Sequence, residues 1–353
     1  MNDTPLRLNG MVRLLHTGAR AATPQREPVA ERLSPAQAAA SPLWKGLPAH
    51  FTAVPPAESG DAPFLEQLFT EPDPAAERRD AETIRLPAPL YLAGQATSSM
   101  DVARSLALGG QLPVWGSVLA LCQTSGRGQL GRHWVSPEGN VYAALRLPCR
   151  HPFTDTAAAP ALGGLIAESL SRLGYPVRMK WPNDLLRHSP EEPQWRKVGG
   201  ILIEERPMRA PDGTQAEPLL IAGIGLNLVC APPASLMRAQ HAVPAGLLAS
   251  PSDSAGFPES AAALWMRLVS RMFFCYVEEI DAKGKNAWRS LAERHLAFLG
   301  QSVLLTDGPD EREHHSGVLE GLDDFGGLCL RNREGTRRFL FGSLHLDRPP
   351  RQP

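Results

Sequence analysis

Two lysines, an Asn-Asp pair and a double glycine lie close together between residues 180 and 204. The segment begins with Lys180–Asp184, which reads K-W-P-N-D, and after a polar loop it ends with Lys197–Glu204, which reads K-V-G-G-I-L-I-E. A lysine ammonium binds phosphate or carboxylate oxygens as a point charge, and an aspartate can hold a magnesium ion that is bound to phosphate. The segment therefore predicts a site for a phosphate anion and a second acidic group. Taken alone, its Asn-Asp pair would also suit an Asx turn, and Lys197 would also suit the protected edge of a strand.

A glycine loop with two arginines lies upstream, at Gly126–Arg132, which reads G-R-G-Q-L-G-R. Three glycines allow the backbone to approach a ligand and to present its N–H groups. The planar guanidinium groups of Arg127 and Arg132 suit phosphate or carboxylate, and the indole of Trp134 is suited to stacking on a purine. The spacing matches neither a dinucleotide fingerprint nor a P-loop. An exposed flexible loop followed by a core tryptophan is the alternative.

An apolar strand interrupted by glycines is predicted at Gly223–Asn227, which reads G-I-G-L-N. Glycine within a strand indicates the close approach of a neighbour or a ligand. An amide at the end of an apolar run needs hydrogen-bond partners if it is buried. Asn227 is therefore a candidate binding residue, and a purely structural amide is the alternative.

The order of these segments carries more information than any one of them. A glycine-arginine loop, then K-W-P-N-D, then K-x-x-G-I-L-x-E, then G-x-G-x-N and then several short strands together resemble the biotin protein ligases, from about residue 90 to residue 346. Ser98-Ser99-Met100-Asp101 stands where that family carries a serine-threonine element. The resemblance implies an α+β fold, in which a mixed β-sheet flanked by helices is followed by a small C-terminal SH3-like β-barrel.

The resemblance also implies roles for individual residues. The catalytic residues would be Lys197, Lys180, Arg132 and Arg127, with Lys197 between the biotin carboxylate and the α-phosphate. The biotin-binding residues would be Ser98, Ser99, Gln123, Gly126, Arg127, Lys197 and Gly200. The nucleotide-binding residues would be Gly128, Gln129, Arg132, Trp134, Lys180, Asn183 and Asn227. Asp184 would lie near the metal ion.

The implied activity is that of an ATP-dependent biotin–carboxyl carrier protein ligase. Such an enzyme uses Mg²⁺ and ATP to convert biotin to biotinyl-5′-AMP with release of pyrophosphate, and then transfers biotin to a lysine of a carrier domain. The implied partner is the carrier domain of a biotin-dependent carboxylase, and a homodimer is compatible with the resemblance. Two alternatives stay open: a lipoate or octanoate ligase of the same superfold, and a non-catalytic biotin or adenylate sensor.

Three departures from the family pattern stand out. Gln129 replaces an arginine that in the family helps to retain the adenylate, and Met100 replaces a frequent asparagine. The N-terminal segment lacks the regular apolar periodicity of a winged-helix DNA-binding domain. We therefore expect a ligase that does not bind an operator.

Composition excludes several other classes of protein. The formal net charge is −1 and no block of Lys and Arg stands out, so the basic surface of a nucleic-acid binder is missing. The longest apolar run, at 219–229, is far shorter than the ~20 residues that a membrane span needs. Five cysteines without a C-x-x-C spacing suit reduced thiols in the cytoplasm. Four arginines and one acid within residues 1–26 would also suit an organellar transit peptide.

The pattern of apolar runs and turns predicts three parts. Residues 1–86 are a Pro/Ala-rich extension that we expect to be partly disordered. Residues 87–297 are the predicted catalytic domain, with strands at 90–93, 114–122, 141–147, 177–180, 198–205 and 219–228, and helices at 100–108, 157–173 and 258–280. Residues 298–348 are the predicted barrel, with strands at 303–305, 317–319, 328–330, 339–341 and 344–346.

Overall fold

The computed structural model describes residues 7–9, 12–15, 51–52, 65–68, 83–188, 194–209, 214–233, 243–249, 260–307 and 313–347. The chain divides into two compact units. The first unit contains Met1–Cys149, Leu202–Cys230 and Leu247–Phe273, and the second unit contains Arg150–Ile201, Ala231–Gly246 and Phe274–Pro353. The three predicted parts of the chain stay predictions.

The β-strands and α-helices of the described residues are numbered in chain order. They are β1 (Arg7–Asn9), β2 (Val12–Leu15), β3 (Phe51–Thr52), β4 (Leu65–Leu68), β5 (Thr83–Arg85), β6 (Leu90–Ala96), α1 (Ser99–Leu108), β7 (Ser117–Gln123), β8 (Val141–Leu147), α2 (Ala158–Arg172), β9 (Arg178–Lys180), β10 (Asp184–His188), β11 (Trp195–Arg209), β12 (Gln215–Leu226), α3 (Ala261–Cys275), α4 (Ala287–Arg294), β13 (Ser302–Asp307), β14 (Glu313–Leu322), β15 (Leu328–Asn332), β16 (Gly335–Phe339) and β17 (Ser343–Leu346).

A mixed sheet forms the centre of the first unit. Its strand order is β3-β4-β2-β6-β7-β8-β12, followed by the Leu202–Arg209 part of β11. β6 runs parallel to β2 and β7, whereas β8 runs antiparallel to β7 and β12. Their apolar runs bury the inner strands almost completely, as expected for a sheet with covered faces.

Helix α1 packs on this sheet because its apolar residues recur at helical spacing. Met100, Val102, Ala103 and Leu106 are buried in one cluster with residues of β6, β7, β8 and β12. Ser98 caps the helix, since its hydroxyl accepts a hydrogen bond from the Met100 backbone N–H. The cap fixes where Ser98 and Ser99 lie at the start of the helix.

Part of the N-terminal extension adds strands to the edge of the sheet. Val12 of β2 pairs with Leu90 of β6 in a parallel register, and Val12 is fully buried. β4 pairs with β2 on its other side. Most of the predicted extension, and the question of its disorder, lies outside the described residues.

The second unit contains a three-stranded antiparallel arrangement in the order β9, β10 and the first part of β11. Behind β9, helices α2 and α4 pack closely, because Gly164 of α2 leaves room for the backbone of Ala292. A buried pair joins them, with Glu168 Oε2 2.6 Å from His295 Nε2. The backbone of β9 is held by this region, since Met179 N–H donates to the His295 carbonyl.

The C-terminal strands form an all-antiparallel sheet in the order β16-β15-β14-β13-β17. This confirms a mixed sheet flanked by helices and followed by a small all-β part. The predicted strand at 339–341 was wrong in its position, because the strand ends at Phe339 and both Leu340 and Phe341 are mostly exposed. Gly342, at φ +133°, turns the chain before β17.

Two elements in the second unit were not predicted. β10 is a short strand that directly follows the Asn-Asp pair, and α4 is a short helix rich in polar residues. None of the described helices is long and apolar enough to cross a membrane.

Candidate active site

Lys180, Asp184 and Lys197 form a lysine–aspartate cluster in the second unit. A turn between β9 and β10 places Asp184 opposite Lys180, and the next strand pair places Asp184 opposite Gly200. Lys197 Nζ lies 2.5 Å from Asp184 Oδ1, and Lys180 Nζ lies 3.5 Å from Asp184 Oδ2. One carboxylate therefore holds two ammonium groups near each other.

The two lysines control the ionisation of Asp184. Burial alone would raise the pKa of Asp184, but the charges of Lys197 and Lys180 outweigh it and hold the pKa below its usual value. Lys180 is itself buried, and a buried ammonium needs such a partner. The Asp184 carboxylate and the two ammonium groups therefore stabilise one another in their charged forms.

Trp181 and Asn183 fix the turn that carries the cluster. The Trp181 ring is buried, and its Nε1–H donates to the Gly326 carbonyl at 2.9 Å. Asn183 Nδ2 donates to the Ile201 carbonyl at 2.8 Å, and the Ile201 N–H donates back to the Asn183 carbonyl. The side chain of Asn183, which we predicted to bind the nucleotide, thus donates a hydrogen bond to the backbone of β11.

Asp184 is the residue predicted to lie near a metal ion. Among the described residues there is no group of three or more His, Cys, Asp or Glu side chains that could hold a metal ion. Both Asp184 oxygens lie near ammonium groups. A magnesium ion that brings phosphate oxygens with it fits a single carboxylate, whereas a site of protein ligands alone does not fit.

The glycine-arginine loop is an ordered hairpin in the first unit. The Trp134 N–H donates to the Gly126 carbonyl, and the Gly128 N–H donates to the Arg132 carbonyl, each at 2.8 Å. Leu130 stands at the tip with φ +56° and is 87% exposed. Gly126 is required at its position, because a Cβ atom there would lie 2.4 Å from the Trp134 carbonyl oxygen. These contacts favour a hairpin over the alternative of a flexible loop.

Arg127 belongs to an arginine–carboxylate network with Asp101, Arg104 and Glu204. Arg127 Nη1 donates to both Asp101 oxygens, at 2.9 and 3.1 Å, and Arg127 Nε lies 3.3 Å from Glu204 Oε1. Arg104 bridges the same two carboxylates, at 3.1 Å from Asp101 and 2.5 Å from Glu204. This network was not predicted from the sequence, although Glu204 ends one of the motifs.

The serines and the glutamine predicted to bind biotin do lie together. Gln123 Oε1 accepts hydrogen bonds from the N–H and the hydroxyl of Ser99, at 2.8 and 3.2 Å. Gln123 Nε2 donates to the Ser136 hydroxyl at 2.8 Å. Ser98 lies beside them as the helix cap. The cluster is a polar group at the end of β7 with its side chains already oriented.

The glycines of β12 make room for two protein side chains. A Cβ at Gly225 would lie 2.7 Å from the Trp134 indole, and a Cβ at Gly223 would lie 2.6 Å from Met100 Sδ. The close neighbours that the glycine pattern predicted are therefore Trp134 and Met100. Met100, a departure from the family pattern, packs against a glycine.

Asn227 is buried at the end of β12, and a second buried amide holds the turn that follows it. Asn140 Oδ1 accepts hydrogen bonds from the N–H groups of Leu228, Val229 and Cys230, at 2.8, 3.0 and 3.3 Å. Its Nδ2 donates to the Cys230 carbonyl at 2.8 Å. Sequence reasoning missed Asn140, because its partners lie 88–90 residues away in the chain.

The predicted site residues thus fall into two sets. In the first unit the chain carries Ser98, Ser99, Gln123, Gly126, Arg127, Gly128, Gln129, Arg132, Trp134 and Asn227. In the second unit it carries Lys180, Asn183, Asp184, Lys197 and Gly200. Arg132 is exposed on the hairpin and Gln129 is half-buried.

The fold and these motif-bearing segments define the class of protein. A profile of the Biotin/lipoate A/B protein ligase family matches residues 93–214. The structure of the biotin protein ligase from Aquifex aeolicus in complex with biotin and ATP matches with a TM-score of 0.56 and 23% identity, over 74% of this chain and 99% of that chain. At that identity the likeness concerns the fold alone.

Sequence relatives narrow the class to one family. The chain is 33% identical over 231 residues to the biotin--[acetyl-CoA-carboxylase] ligase of Paracoccus denitrificans, which covers 62% of this chain and 85% of the relative. It is 26% identical over 240 residues to the bifunctional ligase/repressor BirA of Bacillus subtilis, which covers 65% of each. The chain belongs to the biotin protein ligase family.

Proposed function

We propose that this protein is an ATP-dependent biotin protein ligase that forms biotinyl-5′-AMP and transfers biotin to a lysine of a carboxyl carrier domain. The lysine–aspartate cluster carries this proposal, because it holds two ammonium groups on one carboxylate. The name of the Paracoccus denitrificans relative supports the substrate. The biotin and ATP in the Aquifex aeolicus structure support the same pair of ligands.

The chemical problem is the reaction of two anions. A biotin carboxylate oxygen attacks the α-phosphorus of ATP, the bond from that phosphorus to the bridging oxygen breaks, and pyrophosphate leaves. Preorganised cations lower the barrier because they offset the repulsion without reorganising during the reaction. In the proposal, Lys197 bridges the biotin carboxylate and the α-phosphate, while Lys180 and Arg132 hold phosphate oxygens.

The second step needs an acceptor amine. The neutral amine of the carrier lysine attacks the acyl carbon of the adenylate, AMP leaves, and an amide forms. We propose the carrier domain of a biotin-dependent carboxylase as this partner, and we propose neither nucleic acid nor a membrane as one. The reaction would take place in the cytoplasm.

The remaining site residues bind the two substrates in this proposal. Ser98, Ser99 and Gln123 hydrogen-bond the ureido ring, together with the backbone at Gly126 and Gly200. Buried polar groups that pair with such a ring reject analogues without it by about 10⁴-fold or more. Trp134 packs on adenine, and Gly128, Gln129, Asn183 and Asn227 complete the nucleotide pocket.

Magnesium would enter with ATP. Asp184 would be its protein ligand, and the ion would supply further positive charge to the phosphates. Lys197 and Lys180 hold the pKa of Asp184 below its usual value despite its burial, so this carboxylate is charged at neutral pH.

The test is incubation of the protein with biotin, ATP, magnesium and a carrier domain, followed by mass spectrometry of the carrier. We expect one biotinyl group on one lysine. A parallel reaction with lipoate addresses the alternative, since the matching family profile includes lipoate ligases. Lipoylation without biotinylation would replace the proposal, and binding of biotin without turnover would favour the sensor.

A further inference from the structure

We propose that Glu204 and Asp101 are positioning residues that orient Arg127, and that Arg127 anchors the glycine-arginine hairpin rather than binding phosphate. This inference rests on the proposed function, because it assigns different roles in that function to the two arginines of the hairpin. Arg127 becomes the anchor and the exposed Arg132 keeps the role of phosphate ligand.

The contacts of Arg127 are the first argument. Its Nη1 donates to both oxygens of Asp101, and its Nε faces Glu204 at 3.3 Å. Its Nη2 is shielded from solvent and has no hydrogen-bond partner among the described residues. Two of the three guanidinium nitrogens thus face carboxylates of the protein.

The charge balance of the network is the second argument. Two carboxylates, Asp101 and Glu204, face two guanidinium groups, and Arg104 contacts both carboxylates as well. The charge of Arg127 is thus already matched within the protein. The four side chains are between 22% and 34% exposed, so they are shielded more than the surface pairs that contribute little.

The origin of the four residues is the third argument. Asp101 and Arg104 lie on the first turns of α1, directly after Ser98 and Ser99, and their partner Glu204 lies 100 residues from Arg104 in the chain. Arg127 lies on the hairpin. The network therefore connects the hairpin to the start of α1 and to β11. It fixes the hairpin, which carries residues proposed to bind biotin and the nucleotide.

A double-mutant cycle tests the inference. Glu204→Gln and Arg127→Gln should each lower kcat/KM for biotin-dependent pyrophosphate release by about 10-fold, and the double variant should lose little more than the worse single variant. Lys180→Gln combined with Glu204→Gln should instead multiply the single effects, because Lys180 lies outside the hairpin and the network. Glu204→Asp should restore part of the loss.

A phosphate ligand would behave differently. If Arg127→Gln raised the KM for ATP, left the KM for biotin unchanged, and multiplied with Glu204→Gln, Arg127 would bind phosphate and the inference would be overturned.

A measurement without activity separates this inference from the proposed function. Thermolysin should cut the hairpin before the exposed Leu130 at least several-fold faster in Glu204→Gln than in wild type. Glu320→Gln is the matched control, because Glu320 pairs with Arg331 on the exposed C-terminal sheet. Unchanged cleavage in Glu204→Gln would overturn the anchoring role, whether or not the protein biotinylates a carrier.

Discussion

Asn140 holds the turn after Asn227, so its replacement should damage stability and nucleotide binding together. One side chain accepts three backbone N–H groups and donates to one carbonyl. Because Asn140 is 2% exposed, water cannot easily replace these bonds after truncation to alanine. Asn140→Ala is therefore the perturbation with the clearest structural consequence.

The expected magnitude follows from which partners would be stranded. Leu228 is buried, and an unsatisfied buried N–H costs about 1–3 kcal/mol. Val229 is 58% exposed and Cys230 is partly exposed, so water recovers part of their bonding and each loss costs roughly 0.5–1 kcal/mol. The total loss for Asn140→Ala is therefore about 2–5 kcal/mol.

Asn140→Asp provides the matched control. It keeps an oxygen that accepts the three N–H groups, but it loses the donor to the Cys230 carbonyl and places a carboxylate oxygen against it. We expect a loss of about 1–2 kcal/mol, smaller than that of alanine.

Urea denaturation measures the free energies of unfolding, and steady-state kinetics give KM for ATP and for biotin. The alanine variant should raise the KM for ATP far more than the KM for biotin. Equal stability losses in the two variants, or a loss below about 1 kcal/mol in Asn140→Ala, would refute the reasoning.

Three further predictions concern the site. Asp184 has a lowered pKa in the folded protein, so its stabilising contribution is present above its unfolded pKa of about 3.9 and is lost as the pH falls through its lower folded value. Urea denaturation from pH 7 to pH 2 should therefore show that the free energy of unfolding depends less on pH in Asp184→Asn than in wild type. An unchanged pH dependence would contradict this. Gly225→Ala brings a Cβ to 2.7 Å from Trp134 and should lower the free energy of unfolding by about 1–3 kcal/mol. In the control Gly128→Ala, the added Cβ meets nothing closer than 3.6 Å, so the loss of stability should be smaller. Similar losses in the two variants would argue against the close contact. Gln129→Arg adds a positive charge to the hairpin and should slow the release of biotinyl-5′-AMP in a filter-binding assay, and release as fast as in wild type would refute a weak hold by Gln129.

Regular elements with a strong apolar pattern were predictable from the sequence. The strand Val141–Leu147 matches its prediction residue for residue, and the helix predicted at 157–173 is observed at Ala158–Arg172. Helix α4 was not predictable, because only Trp288, Leu291 and Ala292 are buried in a short polar segment. Its burial depends on Gly164 of α2, which leaves room for Ala292, and no local pattern reveals this contact.

The lysine–aspartate cluster was predictable because its chemistry lies within two short motifs. The spacing of Lys180 and Asp184 spans one turn between paired strands, and Lys197 follows on the next strand. The arginine–carboxylate network and Asn140 were not predictable, because their partners come from distant segments. A single sequence does not show which charges of distant segments meet.

Biotin-dependent exchange of pyrophosphate into ATP tests the central claim, that ammonium groups allow the biotin carboxylate to attack ATP. We predict exchange in the wild type with biotin, none with lipoate, and a loss of at least ~10²-fold in Lys197→Ala, since deleting a preorganised charge partner has that cost. Unchanged exchange in a folded Lys197→Ala variant would contradict the claim.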